Sequence, residues 1–209
     1  MRTSLKACLC IASAAIPLGA YATASLDDSA AVQSTWKPQE IRYTYHGFTT
    51  AYGCEAYESR VKEILTTLGA HPQTKVRASG CRLDRPSRNF FVTITTATPV
   101  AASDTTSSTD TKSEQALLKR LGAKSDLTEE QFLAAWKTVD LSRDRKLDLQ
   151  PGDCELMEGL RDHVLPKLSA RIVTDKVFCT PKQLSIQTPE LQVSALVPLR
   201  TADSIQPVS

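Results

Sequence analysis

The chain has little of what most enzymes and nucleic-acid-binding proteins use. Its 209 residues include eight glycines and three histidines, and they contain no CxxC, GxSxG, HExxH or phosphate-binding glycine loop. The formal net charge is +2, which gives no strongly basic surface for nucleic acid or an anionic membrane. These absences favour a protein that works without catalysis or a cofactor, and they disfavour a nucleic-acid partner.

Long hydrophobic runs are also missing. The apolar stretch Ala7–Ala20 is too short to cross a bilayer comfortably, and it follows Arg2 and Lys6 and precedes Ala22–Ala24. A basic start, an apolar middle and a small-x-small end are typical of a secretory signal peptide. We therefore expect residues 1–24 to be removed and the protein to be periplasmic or secreted, with no transmembrane segment.

The remaining cysteines predict disulfides. Cys8 and Cys10 lie in the segment expected to be removed, which leaves four of the six cysteines. An even number of cysteines without CxxC spacing, in an oxidising compartment, favours disulfide bonds over a zinc site or redox chemistry. The four are Cys54, Cys81, Cys154 and Cys179.

The sequence contains a pattern that repeats after 100 residues. Both copies of a Cys-Glu-x-x-Glu motif start an apolar stripe at helical spacing, from Cys54 and from Cys154. Segments 36–70 and 136–170 share eight identical positions in the first segment: Trp36, Lys37, Cys54, Glu55, Glu58, Leu65, Leu68 and Ala70. Random matching would give about two, so we interpret the pattern as an internal duplication.

The residue pattern of each half predicts the element order β-α-β-β, and the whole chain is therefore expected to have an α+β fold. Alternation at Ile41, Tyr43 and Tyr45 predicts a strand, Gly69 should end the first helix, and Asn89–Thr98 is the clearest strand. In the second half Phe132–Leu141 takes the place of the first strand, although residues 128–131 could equally start a helix. The halves should share one sheet or pack sheet on sheet.

Composition sets the expected boundaries. They are a disordered segment 25–35, a first module 36–100, a polar linker 101–112, a connecting helix region 113–131, a second module 132–199 and a loose tail 200–209. Asp153 should cap the second helix, and Pro166 should kink or end it near Leu165.

Topology selects one disulfide pairing. A helix in a β-α-β unit runs antiparallel to the strand after it, so the helix start and that strand's end meet at one edge. This predicts Cys54–Cys81 and Cys154–Cys179, with loops of similar length. Each bridge would contribute about 3–4 kcal/mol.

Few residues suggest a ligand site. One local aromatic set could line a groove: Tyr43, Tyr45, Phe48 and Tyr52. Glu55 and Glu155 lie in first helical turns, where the helix dipole is sufficient to explain them. His46 or His163 could form a hydrolase-type site with a carboxylate or serine from elsewhere in the chain.

The segment Asp140–Pro151 partly matches a calcium-binding EF-hand loop. Acidic or hydroxyl side chains fall at positions 1, 3, 5 and 9. The loop requires glycine at position 6 and a bidentate glutamate at position 12, and this chain has Arg145 and Pro151 there. We predict that it does not bind calcium or another metal.

Two signatures carry a resemblance: residues 45–54, which contain Gly-Phe-Thr-Thr before Cys54, and residues 149–156, Leu-Gln-Pro-Gly-Asp-Cys-Glu-Leu. From about Trp36 to Leu199 the sequence resembles uncharacterised exported proteins of Gram-negative bacteria, which have no assigned activity. The resemblance implies export and the cysteine pattern, and it assigns no catalytic residue. We expect a disulfide-stabilised binding or envelope-associated protein whose partner is an unknown protein or small ligand; the alternative is the hydrolase.

Overall fold

A computed structural model describes residues 31–82, 85–104, 111–122, 130–183 and 185–199. In chain order the elements are β1 (Val32–His46), α1 (Cys54–Thr67), β2 (Lys75–Ser79), β3 (Asn89–Ala101), α2 (Thr111–Leu121), β4 (Gln131–Asp140), α3 (Cys154–Gly159), β5 (Ala170–Lys176) and β6 (Glu190–Pro198). No helix in these ranges is long and apolar enough to span a membrane.

The six strands form one antiparallel sheet in the order β2-β3-β1-β4-β6-β5. The α+β class and the sharing of one sheet by both halves are thereby confirmed. The halves join where Val32–Thr35 of β1 pairs with Gln131–Ala134 of β4, and Gln33 lies opposite Leu133. The first, second and third strands of each half therefore occupy the same places relative to this junction.

In the first half, side-chain periodicity explains which faces of β1 and α1 are buried. Ile41, Tyr43 and Tyr45 point into the core while Arg42 and His46 are exposed, because successive residues of a strand face opposite sides. The predicted stripe of α1 is entirely buried and comprises Tyr57, Val61, Ile64, Leu65 and Leu68.

Gly69 ends α1 as predicted. Its φ of 87° lies in the left-handed region, and the Ala70 amide bonds back to the Leu65 carbonyl. A Cβ at this position would also lie 2.7 Å from the carbonyl oxygen of Leu196. Conformation and packing both therefore require glycine.

The second helix is shorter than its sequence stripe predicts. The α-helical part, α3, ends at Gly159. It is followed by a π-helical turn, Leu160–Val164, and a 3₁₀ turn, Leu165–Lys167. Pro166 lacks an amide hydrogen and its ring collides with an upstream carbonyl, so the regular helix stops before it. The Leu165 amide reaches back to the Leu160 carbonyl, five residues away.

Several boundaries differ from the expected ones. β1 begins at Val32 and Ser34 is fully buried, so the end of segment 25–35 is ordered by its pairing with β4. β3 continues to Ala101, and α2 begins at residue 111 and ends at residue 121. Residues 1–30, 83–84, 105–110, 123–129, 184 and 200–209, which include the expected signal peptide and the expected tail, lie outside the described residues.

Helices α1 and α3 and both halves of the sheet contribute to one large hydrophobic core. A smaller cluster forms where α2 packs against the junction region; it contains Trp36, Ala97, Leu118 and Leu121, with Phe132 beside it. The counterpart of Trp36 in the second half, Trp136, lies under the guanidinium of Arg171 at 5.5 Å.

Both predicted disulfides are confirmed. Cys54 and Cys81 have a Cα–Cα distance of 5.9 Å, and Cys154 and Cys179 have one of 5.7 Å, within the usual range for a bridge. Each joins the first residue of a helix to the chain just after an edge strand, β2 or β5. The pairing follows from the topology from which it was predicted.

Candidate functional site

The two sequence signatures meet in space across the two halves. The Glu155 carboxylate, in the first turn of α3, accepts the backbone amides of Phe48, Thr49 and Thr50 at 2.9, 2.9 and 3.1 Å. The Thr49 hydroxyl donates to the same carboxylate at 2.9 Å. We call residues 47–50 together with Glu155 the Glu155 clasp.

The helix dipole explains only part of the role of Glu155, because its carboxylate also binds the loop amides. Its side chain is buried, with 5% exposure, and a buried carboxylate is stable only when hydrogen bonds replace its water. Glu55, at the matching place in the first half, is exposed. The repeated Cys-Glu motif could have drawn attention to the pair, but the loop that binds Glu155 lies more than 100 residues away.

Further bonds hold the loop of the clasp in shape. The Thr50 hydroxyl donates to the Gly152 carbonyl at 2.7 Å, and the Tyr45 hydroxyl donates to the Thr50 carbonyl at 3.0 Å. Gly47 passes so close that a Cβ there would lie 2.1 Å from the Thr50 oxygen. Only glycine fits that position of the loop.

Asp153 does not cap the helix amides as predicted. Its carboxylate instead accepts the Tyr52 hydroxyl at 2.5 Å and the Gln150 amide at 2.8 Å, and it forms an ion pair with Arg60 at 3.4 Å. Arg60 also donates to the Leu147 carbonyl. Sequence reasoning missed Arg60, because nothing in α1 alone indicates its partners in the second half.

A buried aromatic cluster lies behind the clasp. The ring centroids of Tyr45 and Tyr57 are 4.9 Å apart, and Phe90 lies 4.9 Å from each of them. The hydroxyls of Tyr43 and Tyr57 share a hydrogen bond of 2.8 Å.

Burial controls the ionisation of these tyrosines. It raises the pKa of Tyr43 to about 12, although the bond from Tyr57 acts in the opposite direction. Burial also raises the pKa of Tyr52, where the bond to Asp153 and its negative charge act in the same direction. The hydroxyls are therefore neutral donors at ordinary pH.

The four residues expected to line an aromatic groove are placed differently from one another. Tyr43 and Tyr45 are 8% and 2% exposed and belong to the core. Tyr52 is partly buried against the same core. Phe48 is 53% exposed, so it is the member of the set that faces solvent.

The three histidines have separate surroundings. His46 bonds through Nδ1 to the Asn89 side chain at 2.6 Å, and His163 stacks on Tyr43 at 5.5 Å. His71 packs edge-on against Trp36 at 4.9 Å, and burial lowers its pKa. Within the described ranges, none of these histidines bonds to a carboxylate or a serine hydroxyl. The geometry that the hydrolase alternative requires is therefore not found there.

In the segment that resembles a calcium-binding loop, the aspartate carboxylates accept hydrogen bonds from the protein itself. Asp140 accepts the amide and hydroxyl of Ser142 at 3.1 and 2.5 Å and the Gln192 amide group at 2.9 Å. Burial acts to raise the pKa of Asp140, but these bonds outweigh it and the pKa is lowered. In the part of the chain that is described, no three His, Cys, Asp or Glu side chains form a metal-ligand group.

Two open clefts border α1. One, of about 570 Å³, lies between α1 and the edge strand β2. The other, of about 660 Å³, lies beside the Cys54–Cys81 bridge and is lined in part by Glu55 and Pro86.

Comparison with protein-family models, curated proteins and solved structures finds no match. The geometry of the chain is therefore the basis for any functional proposal.

Proposed function

We propose that this chain is an exported, disulfide-stabilised binding protein that works without catalysis, and that Phe48 is its main contact residue. The observation that supports this is the exposure of Phe48, at 53%, on a loop whose neighbouring amides are fixed by Glu155. A large aromatic side chain on a pre-organised loop loses little entropy on binding and is typical of the residues that dominate binding energy.

The export of the protein is part of the same proposal. Two disulfides fit an oxidising compartment, residues 1–24 have the composition of a signal peptide, and the resemblance to exported proteins of Gram-negative bacteria agrees with both. Cell fractionation and N-terminal sequencing test it. A mature protein starting at Ser25 in the periplasm or medium is expected, and a cytoplasmic protein retaining Met1 would contradict it.

The binding role is tested by capture from an envelope extract with the purified wild-type protein and Phe48→Ala. We expect specific partners to be depleted about tenfold or more by the substitution. Leu133→Ala is the control, because Leu133 is also exposed, at 47%, and lies opposite Gln33, at the other end of β1 from the clasp. Equal depletion by both variants, or by neither, would contradict a contact centred on Phe48.

We also infer that the two halves arose by duplication of one β-α-β-β unit. The strand pairing supports this: Ile41 of β1 lies opposite Ile94 of β3, and Leu141, 100 residues after Ile41, donates its amide to the carbonyl of Leu191 in β6. All four side chains are buried. In a set of related sequences the identities between the halves should persist; identities confined to this chain would contradict the duplication.

A further inference from the structure

The edge strand β2 and helix α1 form a cleft with the features of a peptide-binding groove. It has a volume of about 570 Å³ and is lined by Glu58, Ser59 and Lys62 of α1 and by Thr74, Lys75, Val76, Arg77, Ala78 and Ser79. Among the described residues, β2 pairs on one side only, with β3. Its other side carries backbone groups that an added strand could use.

A hydrogen bond identifies those backbone groups. The Ala78 amide points away from β3 and donates to the Glu58 carboxylate at 2.7 Å. Because the backbone groups of a strand alternate in direction, the amide and carbonyl of Val76 point into the cleft as well. Glu58 thus covers one donor of the edge, while the Val76 groups have no partner among the described residues.

The other edge of the sheet is less suited to strand addition. β5 contains an irregularity between Ile172 and Thr174, and a bulge of this kind twists an edge away from further pairing. At its end, Arg161 donates to the Val177 carbonyl at 2.9 Å.

The charged side chains of β2 indicate which kind of peptide its free edge would bind. Lys75 and Arg77 are two residues apart and exposed on the sheet face opposite the buried Val76. The Lys75 ammonium donates to the Arg120 carbonyl, and neither basic group has a carboxylate partner in the described ranges. A second copy pairing through β2 would bring like charges together across the strands, which is unfavourable.

We propose that β2 binds an extended segment of a partner protein that carries carboxylates at alternate positions. The added strand would pair with the backbone of Val76 and Ala78, displacing Glu58 from the Ala78 amide. Its acidic side chains would lie beside Lys75 and Arg77, and its intervening side chains would enter the cleft next to Ser59 and Lys62. This site is separate from Phe48 and does not depend on the role proposed for it.

The probe is a fluorescent eight-residue peptide of alternating glutamate and valine, and fluorescence anisotropy measures its binding. Two further peptides separate the causes: one has lysine in place of glutamate, and the other has every backbone amide N-methylated and so cannot pair as a strand. We expect the glutamate peptide to bind about tenfold or more tightly than either. Equal binding of the N-methylated peptide would overturn strand addition, and absence of glutamate-peptide binding would overturn the site.

Charge reversal completes the test. In the double variant Lys75→Glu with Arg77→Glu the preference should invert, so that the lysine peptide binds more tightly than the glutamate peptide. The control Lys137→Glu with Lys146→Glu changes the net charge equally at exposed positions outside the cleft. Phe48→Ala should bind the glutamate peptide as the wild type does. A preference that does not invert in the β2 variant, or inverts in the control, would contradict the proposal.

Discussion

Glu155 and Thr49 are 106 residues apart in sequence, and two hydrogen bonds of 2.9 Å join the carboxylate of the first to the amide and hydroxyl of the second. The bonds cross from one half of the protein to the other. Because both halves also share one hydrophobic core, we expect the chain to unfold as a single cooperative unit rather than half by half.

Glu155→Ala should lower the free energy of unfolding by about 3 kcal/mol, because it leaves three backbone amides of the loop without their acceptor. Urea denaturation measures the change. Glu55→Ala is the control, since Glu55 occupies the matching first turn and is exposed; its effect should stay within about 0.5 kcal/mol. Equal effects of the two variants would mean that the clasp does not contribute to stability.

Gly47→Ala should destabilise the protein by about 1–3 kcal/mol, because the new Cβ would overlap the Thr50 carbonyl oxygen, 2.1 Å away. Gly53→Ala provides the comparison, since nothing lies within 4 Å of a Cβ there. Its effect should remain below about 1 kcal/mol. Thermal unfolding followed by circular dichroism distinguishes the two, and an unchanged melting temperature for Gly47→Ala would contradict the crowded loop.

Removal of the first bridge by Cys54→Ser with Cys81→Ser should cost about 3.5 kcal/mol, from the 27-residue separation of the cysteines. Cys54→Ser alone should leave Cys81 as one free thiol, detected by thiol titration. Non-reducing peptide mapping of the wild type should give Cys54–Cys81 and Cys154–Cys179 only. A peptide joining Cys54 to Cys154 would refute both pairings.

Stability should fall in alkali. The pKa of Tyr43 is raised to about 12 from its ordinary value of 10.0 by burial, so the folded state favours the neutral phenol. That contribution to stability is complete below pH 10, decreases above it, and is lost as the pH rises through about 12. Ultraviolet titration should show little tyrosine ionisation near pH 10, followed by a steep rise together with unfolding. Gradual ionisation centred on pH 10 in the folded protein would contradict the buried cluster.

Calcium should not bind at Asp140–Pro151. The Asp140 carboxylate already accepts bonds from Ser142 and Gln192, and position 12 of the loop is Pro151, which offers no side-chain ligand. Isothermal titration should give no binding heat at micromolar calcium. Micromolar binding that disappears in Asp140→Ala would restore the EF-hand interpretation.

Local patterns were sufficient for much of the fold. The alternation at Ile41–Tyr45, the stripe from Tyr57 to Leu68 and the glycine at position 69 each depend on neighbouring residues, and the structure agrees with them. The disulfides could be predicted because they join points that such short units already bring together.

The interactions of Glu155, Asp153 and Arg60 could not be predicted in the same way. Each depends on how one half is placed against the other, and no sequence periodicity encodes that placement. The pairing of β1 with β4 is similar: residues 32–35 are small and polar, and they form a strand because Gln131–Ala134 lies beside them. The burial of Tyr43 and Tyr45, in contrast, agrees with the alternation of β1, which places both side chains on the core face of the strand.

The disulfides have a consequence for the dynamics of the sheet. Cys81 and Cys179 follow β2 and β5, which are its two outermost strands. Outer strands have neighbours on one side only and are the first to fray. Each bridge fastens such a strand to the first turn of a helix whose apolar face is embedded in the core. Reduction should therefore raise amide hydrogen exchange first at Lys75–Ser79 and Ala170–Lys176, while β1 and β4 in the middle keep their protection.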